Sequence, residues 1–234
     1  MIEVEVFASS SNGNCYRLKS GSSNLLLEAG IPFQKIGKAI HNKWGNIDGV
    51  LVTHEHNDHA QAVWHLLTRG LDVYMSEGTK TKLGVNAQYA KVVAPLKLFK
   101  IGKWEIMPFD TMHDAAEPLG FLISDGEDKL LFATDTYYVP YRFNGITLLM
   151  LECNYDDEIL KARVDDGVVS IAQASRLARS HFSLNNVMKF MDCNDLNAVR
   201  QIWLLHGSKV NGNPLLFEAA IKKLTGKPVI VCEG

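Results

Sequence analysis

Six consecutive residues, His54-Glu55-His56-Asn57-Asp58-His59, hold three imidazoles and two carboxylates. With only eight histidines in 234 residues, the pattern H-x-H-x-D-H would arise somewhere in such a chain by chance with a probability on the order of 10⁻³ to 10⁻⁴, so it is read as chemistry rather than as a solvated loop. Neutral imidazole and carboxylate are the ligands that borderline divalent ions prefer. Residues two apart at the end of a strand point the same way, so His54 and His56 can converge on one cation. The turn that follows is expected to carry Asp58 and His59 to a neighbouring position. Two pairs of ligands imply two ions, about 3.5–4 Å apart as in two-metal hydrolases.

Such a centre needs one more ligand for each ion and a bridging carboxylate. Three residues just beyond apolar stretches supply them: His113 after Trp104–Phe109, Asp135 after Leu130–Thr134, and His206 after Ile202–Leu205. Polar ligand types that follow buried strands stand where a rigid scaffold presents function.

The elements that would position these residues mix strands and helices. Alternating or apolar runs predict strands at 2–8, 15–19, 24–28, 49–53 and 72–76. Helical patterns fall at 32–41, 60–69 and 77–83, with Gly70 as a stop for the second. A β-rich stretch over 92–134 contains Asp125-Gly126-Glu127-Asp128, read as a hairpin turn between 120–124 and 129–134. Thr147–Leu151 is apolar without alternation, which predicts burial on both faces. Helices follow at 156–162, 170–179 and 183–191, the last with Ser183 as N-cap. A strand at 202–205, a helix at 214–224 with Pro in its first turn, and a strand at 229–232 close the chain. No linker, repeat or low-complexity tract interrupts it, so the expectation is one α/β domain over residues 1–234, with sheets inside and helices outside.

Composition narrows the classes. The chain is 47% apolar and 21% charged, ordinary globular values. Its net charge of −2 excludes a uniformly basic nucleic-acid coat but not a local patch. Lys80, Lys82, Lys91, Lys97, Lys100, Lys103, Arg163, Arg176 and Arg179 are candidates for such a patch. No apolar run is long enough to span a membrane. Met1-Ile-Glu-Val-Glu has acids where a signal peptide has basic residues, so the protein reads as cytoplasmic, with its thiols reduced. Cys15, Cys153, Cys193 and Cys232 form no close pair, which argues against a thiolate zinc site, and all four are expected to be buried and inert. His41 and His65 are read as structural. No Walker loop, G-x-S-x-G or Cys-His nucleophile signature is present.

The H-x-H-x-D-H signature followed by His113, Asp135 and His206 resembles the metallo-β-lactamase superfamily over essentially the whole chain. That resemblance implies a four-layer αββα sandwich with a dinuclear site at one sheet edge. It implies that His54, His56 and His113 hold one metal, that Asp58, His59 and His206 hold the other, and that Asp135 bridges them. Phe7–Tyr16, Leu27-Glu28-Ala29-Gly30, Glu117–Phe121, Glu152–Asp156 and His206-Gly207-Ser208 are similar to the WalJ/YycJ-like exonuclease branch, which is related to PhnP-like phosphodiesterases and tRNase Z. The branch usually has Asp where this chain has Glu28, a residue implied to orient a ligand histidine.

The resemblance implies a dinuclear metal-dependent phosphodiesterase acting as a 5′-to-3′ DNA exonuclease on Zn, Mn or Fe, with Asp58 and His181 as catalytic residues. A metal-bridging hydroxide would attack the scissile phosphate and His181 would protonate the departing oxygen. Ser10, Asn12 and Asn14, in a small-residue loop with the features of an anion-binding nest, would meet the substrate together with Ser208 and His181. Two alternatives stand beside this: a hydrolase of small phosphodiesters, carbon esters, thioesters or lactams on the same metals, and a non-catalytic, metal-stabilised nucleic-acid-binding protein.

Overall fold

The computed structural model describes residues 1–232. The backbone divides into two compact units, one of Met1–Asp110 with Ala115–Asp128, the other of Thr111–Asp114 with the chain from Lys129 onward.

In the first unit, β1 (Glu3–Ser10), β2 (Gly13–Ser20) and β3 (Ser23–Leu27) form an antiparallel meander. To β3 are added, in parallel, β4 (Gly49–Leu51), β5 (Val73–Met75) and β6 (Ala90–Val92). Parallel pairing requires crossovers, and they are helical: α1 (Phe33–Ala39) precedes β4, α2 (Asn57–Ala60) and α3 (Val63–Thr68) precede β5, and α4 (Glu77–Leu83) precedes β6. Leu26, Val50 and Val73 from the sheet pack with Ile36, Trp44, Val52, Val63 and Leu66 in one buried cluster. Each such side chain contributes roughly 1.5–3 kcal/mol by leaving water. Gly70 takes a left-handed conformation just beyond α3, as expected of a stop. The helical pattern begins earlier than its periodicity indicates, because α2 starts within the metal-ligand motif.

The same unit holds a second antiparallel set, β7 (Phe99–Ile101), β8 (Trp104–Asp110) and β9 (Leu119–Ser124). Gly120 stands opposite Phe109 in this ladder, and a Cβ on it would lie 2.3 Å from the Phe109 ring. The close packing of that ring requires glycine. Asp125 to Asp128 is a turn, closed by the Asp125 amide donating to the Asp128 carbonyl at 3.2 Å.

The second unit is built on four parallel strands, β10 (Lys129–Ala133), β11 (Leu148–Glu152), β12 (Gln201–Leu205) and β13 (Val229–Val231). Every residue of β11 is buried, as its unalternating sequence predicts. Four capped helices accompany them. Asp156 caps α5 (Asp157–Asp165), Ser170 forms a capping box on α6 (Ile171–Leu177), and Ser183 caps α7 (Leu184–Asp192) through the Asn186 amide. Asn213 caps α8 (Pro214–Thr225), whose first position is proline. The helix α7 buries Leu184, Val187, Phe190 and Met191, the spacing of one helical face.

Among the described residues no helix is long and apolar enough to cross a membrane. All four cysteines are free. Cys15, Cys153 and Cys232 are buried, and burial raises each thiol's pKa, that of Cys232 to about 12. The expectation of burial fails for Cys193. It caps the C-terminus of α7, beyond the last core-facing turn, and is exposed.

Candidate functional site

In the first unit the motif does not sit on a strand end. The strand β4 stops at Leu51, residues 52–56 run on outside any strand, and Asp58 and His59 lie in the first turn of α2, with His56 as its N-cap. The side chains converge nonetheless. His54 Nε2 and His56 Nδ1 are 3.0 Å apart. Two ligands of one ion at about 2.0–2.1 Å each can span that separation. Thr53 Oγ1 lies 2.9 Å from His54 Nδ1, so the second nitrogen of His54 has a partner that fixes the tautomer. His59 is fully buried, with Nε2 at 3.4 Å from Asp58 Oδ2 and Nδ1 at 3.5 Å from Glu28 Oε1.

Glu28 thus sits where the resemblance implies an orienting acid, but at long range. Its other oxygen accepts from the Thr53 amide at 3.3 Å. Its backbone is left-handed, with φ 66°, a conformation uncommon for a residue with a Cβ and found disproportionately where function imposes it. The motif is fastened chiefly by main chain. The Ala29 amide donates to the His59 carbonyl, the Ala62 amide to the Ala29 carbonyl, and the Gly30 amide to the Asn14 carbonyl, all at 2.8–2.9 Å. A Cβ on Gly30 would stand 1.6 Å from the Asp58 carbonyl oxygen, so only glycine permits this approach. Asn14, also buried, donates its amide to the Ser10 and Asp58 carbonyls at 3.1 and 3.2 Å and lies 3.2 Å from His59 Nε2.

In the second unit three acceptors emerge at the C-terminal ends of adjacent parallel strands, the usual place for ligands in open α/β sheets. Asp135 follows β10 by two residues, Glu152 ends β11, and His206 follows β12 directly. Asp135 and His206 both have positive φ, 48° and 53°. Asp135 Oδ1 is 3.3 Å from His206 Nδ1 and its Oδ2 is 3.5 Å from His113 Nε2. His113 donates Nδ1–H to the Ser180 carbonyl at 2.8 Å, which leaves Nε2 as its lone-pair nitrogen. Burial lowers the His113 pKa, only partly offset by the Asp135 charge, which favours the neutral imidazole that a metal ligand requires.

Glu152, to which the sequence by itself assigns no role, organises this cluster. It is fully buried. One oxygen lies 2.6 Å from His181 Nδ1 and 3.1 Å from His206 Nδ1. The other accepts from the Thr136 and Phe182 amides at 3.0 and 3.2 Å. Ligand atoms of Asp135, Glu152, His181 and His206 all lie within 4.8 Å of one another. Because chain donors occupy both Glu152 oxygens, this carboxylate orients histidines rather than ligating. Burial works against the His181 imidazolium, but the Glu152 charge and hydrogen bond prevail, and the His181 pKa lies above the usual histidine value. The signal for Glu152 in the sequence is an acid ending a fully apolar strand.

The substrate-facing candidates divide by exposure. Ser10 ends β1 and its hydroxyl accepts from the Asn12 amide at 3.3 Å, while Asn12 itself is exposed in the two-residue turn to β2. Ser208 Oγ accepts from the Val210 and Asn211 amides, closing its own turn. His41 and His65 are exposed, His65 stacking on Phe33 at 5.5 Å. Several candidate patch cations pair locally: Lys91 with Asp72, Lys100 with Glu105, and Arg176 with Asp114.

Comparison with known proteins identifies the family. The β-lactamase superfamily domain matches residues 24–206. The chain is 31% identical over 175 residues to exodeoxyribonuclease WalJ of Streptococcus pneumoniae, covering 68% of this chain and 65% of that protein. It is 30% identical to exodeoxyribonuclease YycJ of Bacillus anthracis, covering 68% of this chain and 66% of the relative. The match thus spans slightly less than two thirds of the length of these relatives. The crystal structure of the metallo-β-lactamase fold protein YhfI from Bacillus subtilis superposes with a TM-score of 0.76 at 17% identity, covering all of this chain and 96% of YhfI. Buried histidines with one nitrogen anchored, set beside carboxylates, suit divalent metal ions. The chain belongs to the β-lactamase superfamily, and its fold is the metallo-β-lactamase fold.

Proposed function

We propose that this protein is a divalent-metal-dependent phosphodiesterase that degrades DNA from its 5′ end. In this reading His54, His56 and His113 would hold one ion, Asp58, His59 and His206 would hold the other, and Asp135 would serve both. Zn, Mn and Fe all suit such mixed nitrogen and oxygen donors. Bound ions of this kind acidify a water and offset charge on a phosphate oxygen.

The chain's own residues do the rest. Thr53, Ser180 and Glu152 hold the anchored nitrogens of His54, His113 and His206 and so present the opposite nitrogen of each ring, while Glu28 stands beside Nδ1 of His59 at 3.5 Å. Asp58 aligns beside His59. His181, tied to Glu152 through Nδ1, carries its other proton on Nε2 and delivers it to the departing oxygen. The single observation that carries the proposal is this Glu152–His181 contact of 2.6 Å within the Asp135–His206 cluster, since a pure metal site has no need of a carboxylate-primed proton donor. The names of the WalJ and YycJ relatives support DNA as the substrate. Among the loop residues, Asn12 is exposed and would meet substrate, whereas Ser10 and Asn14 brace its loop and Ser208 closes its own turn.

The test is hydrolysis of 5′-phosphorylated single- and double-stranded DNA, end-labelled to read direction, and of bis-p-nitrophenyl phosphate, with Mn²⁺ or Zn²⁺. His56→Ala and Asp135→Ala are expected to lower the rate by about 10²-fold or more. Variants as active as the wild type, or activity confined to thioesters, would refute the proposal.

A further inference from the structure

A pocket of about 170 Å³ in the second unit is lined by aromatic rings and by the cations Arg142 and Lys189, with no carboxylate among its walls. In a chain of net charge −2 that is a local inversion of sign. Both cations are exposed, and neither side chain makes an ion pair or hydrogen bond with the described residues, unlike Lys91, Lys100 and Arg176. Tyr138, 54% exposed, forms one wall. Tyr141, Phe182 and Phe190 also line it, and they are linked ring to ring through Phe143, which is not itself part of the lining: Tyr141 to Phe143 at 6.3 Å, Phe143 to Phe190 at 6.5 Å, and Phe190 to Phe182 at 6.3 Å.

The pocket joins the candidate site on two sides. Tyr138 comes three residues after Asp135, and the intervening Thr136 is pinned, its amide donating to Glu152 and its hydroxyl to the Tyr138 carbonyl at 2.7 Å. Phe182 directly follows His181, and its amide also donates to Glu152. Asn186 Nδ2 ties the two walls by donating to the Tyr137 carbonyl at 3.2 Å. An exposed aromatic face with cations and no acid is the recipe for single-stranded nucleic acid, in which bases stack and phosphates meet positive charge.

From this we infer that the pocket is a nucleotide subsite, in which a base of single-stranded DNA stacks on Tyr138 while Arg142 and Lys189 hold the flanking phosphates. The inference rests on the proposal that the substrate is DNA, but it concerns binding and is measurable without cleavage. Cys193, exposed and itself lining the pocket, provides the readout, because the other three thiols are buried.

The experiment measures labelling of Cys193 by a thiol reagent in the metal-loaded protein, with and without a phosphorothioate thymidine strand of roughly 8 nucleotides. The strand is expected to slow labelling about fivefold or more, and an abasic strand of the same length is expected to have little effect. Tyr138→Ala is expected to weaken binding of the thymidine strand about tenfold by fluorescence anisotropy. Lys189→Glu is expected to weaken it and to reduce the salt slope by roughly 0.7 for each phosphate no longer neutralised. Tyr138 and Lys189 are exposed, so both variants should fold, and unchanged circular dichroism checks this. Labelling unaffected by the strand, or equal protection by the abasic strand, would overturn the subsite. Protection without any DNA cleavage would sustain the subsite and refute the nuclease proposal. Cleavage without protection would do the reverse.

Discussion

Two sets of candidate metal ligands in this chain are held by opposite means. Those of the first unit are consecutive in sequence and fastened by backbone: three main-chain hydrogen bonds, an asparagine amide and a glycine against which the Asp58 carbonyl rests. Their acidic partner, Glu28, reaches His59 only at 3.5 Å. Those of the second unit come from scattered strand ends: His206 is held, together with the non-ligand His181, by one buried carboxylate, Glu152, which also meets two amides, while His113 is anchored on the Ser180 carbonyl. Contiguous ligands share a local backbone and need little else. Dispersed ligands have no common backbone, so a side chain must tie them together.

Substitutions at the two anchors should separate these modes. Gly30→Ala strikes the backbone anchor. With a Cβ 1.6 Å from the Asp58 carbonyl oxygen, it is expected to destabilise the fold by about 3 kcal/mol or more, read as a lower midpoint in urea; a change below about 1 kcal/mol would show that the anchor is slack. Glu152→Gln strikes the side-chain anchor while keeping its volume. Phosphodiesterase activity should fall about 100-fold with the urea midpoint little moved, because orientation of His181 and His206 is lost rather than packing. Glu28→Gln, at the looser contact, should lower activity only about tenfold. If it matched Glu152→Gln, the two regions would not differ as described.

Asp125, in the Asp125–Asp128 turn and a member of neither ligand set, serves as a control. Burial raises its pKa, but the Ser20 hydroxyl at 2.5 Å and the Asp128 and Glu127 amides outweigh this and bring it to about 2, below the ordinary value of 3.8. A depressed folded-state pKa gives stability that is present above pH 3.8 and lost as pH falls towards 2. Solvent screening limits it to about 1 kcal/mol. Asp125→Asn should flatten the stability profile in that window and leave activity at neutral pH unchanged.

The same contrast explains what is legible in the sequence. The contiguous motif stands out because its improbability lies in six adjacent letters. Its local conformation does not, since Asp58 and His59 belong to a helix that their polar character conceals. His113, Asp135 and His206 can be found as ligand types beyond apolar runs, but their brace cannot. Glu152 reads as the polar end of a strand, and only parallel register, with Glu152 beside Leu205 and His206 next along, shows what it faces. Asn14 reads as an anion contact because small polar loops often bind anions; burial turns its amide inward. Helix limits are legible where caps are local, as at Ser183 and Pro214, and so is the burial of Leu148–Leu151.

Metal content by mass spectrometry, paired with digestion of an end-labelled oligonucleotide before and after chelation, tests the dinuclear nuclease most directly. Two divalent ions per chain are expected, with cleavage that disappears when they are removed and recovers when Mn²⁺ or Zn²⁺ is restored. A metal-free protein that cuts DNA at full rate, or a fully loaded one that leaves every phosphodiester intact, would contradict it.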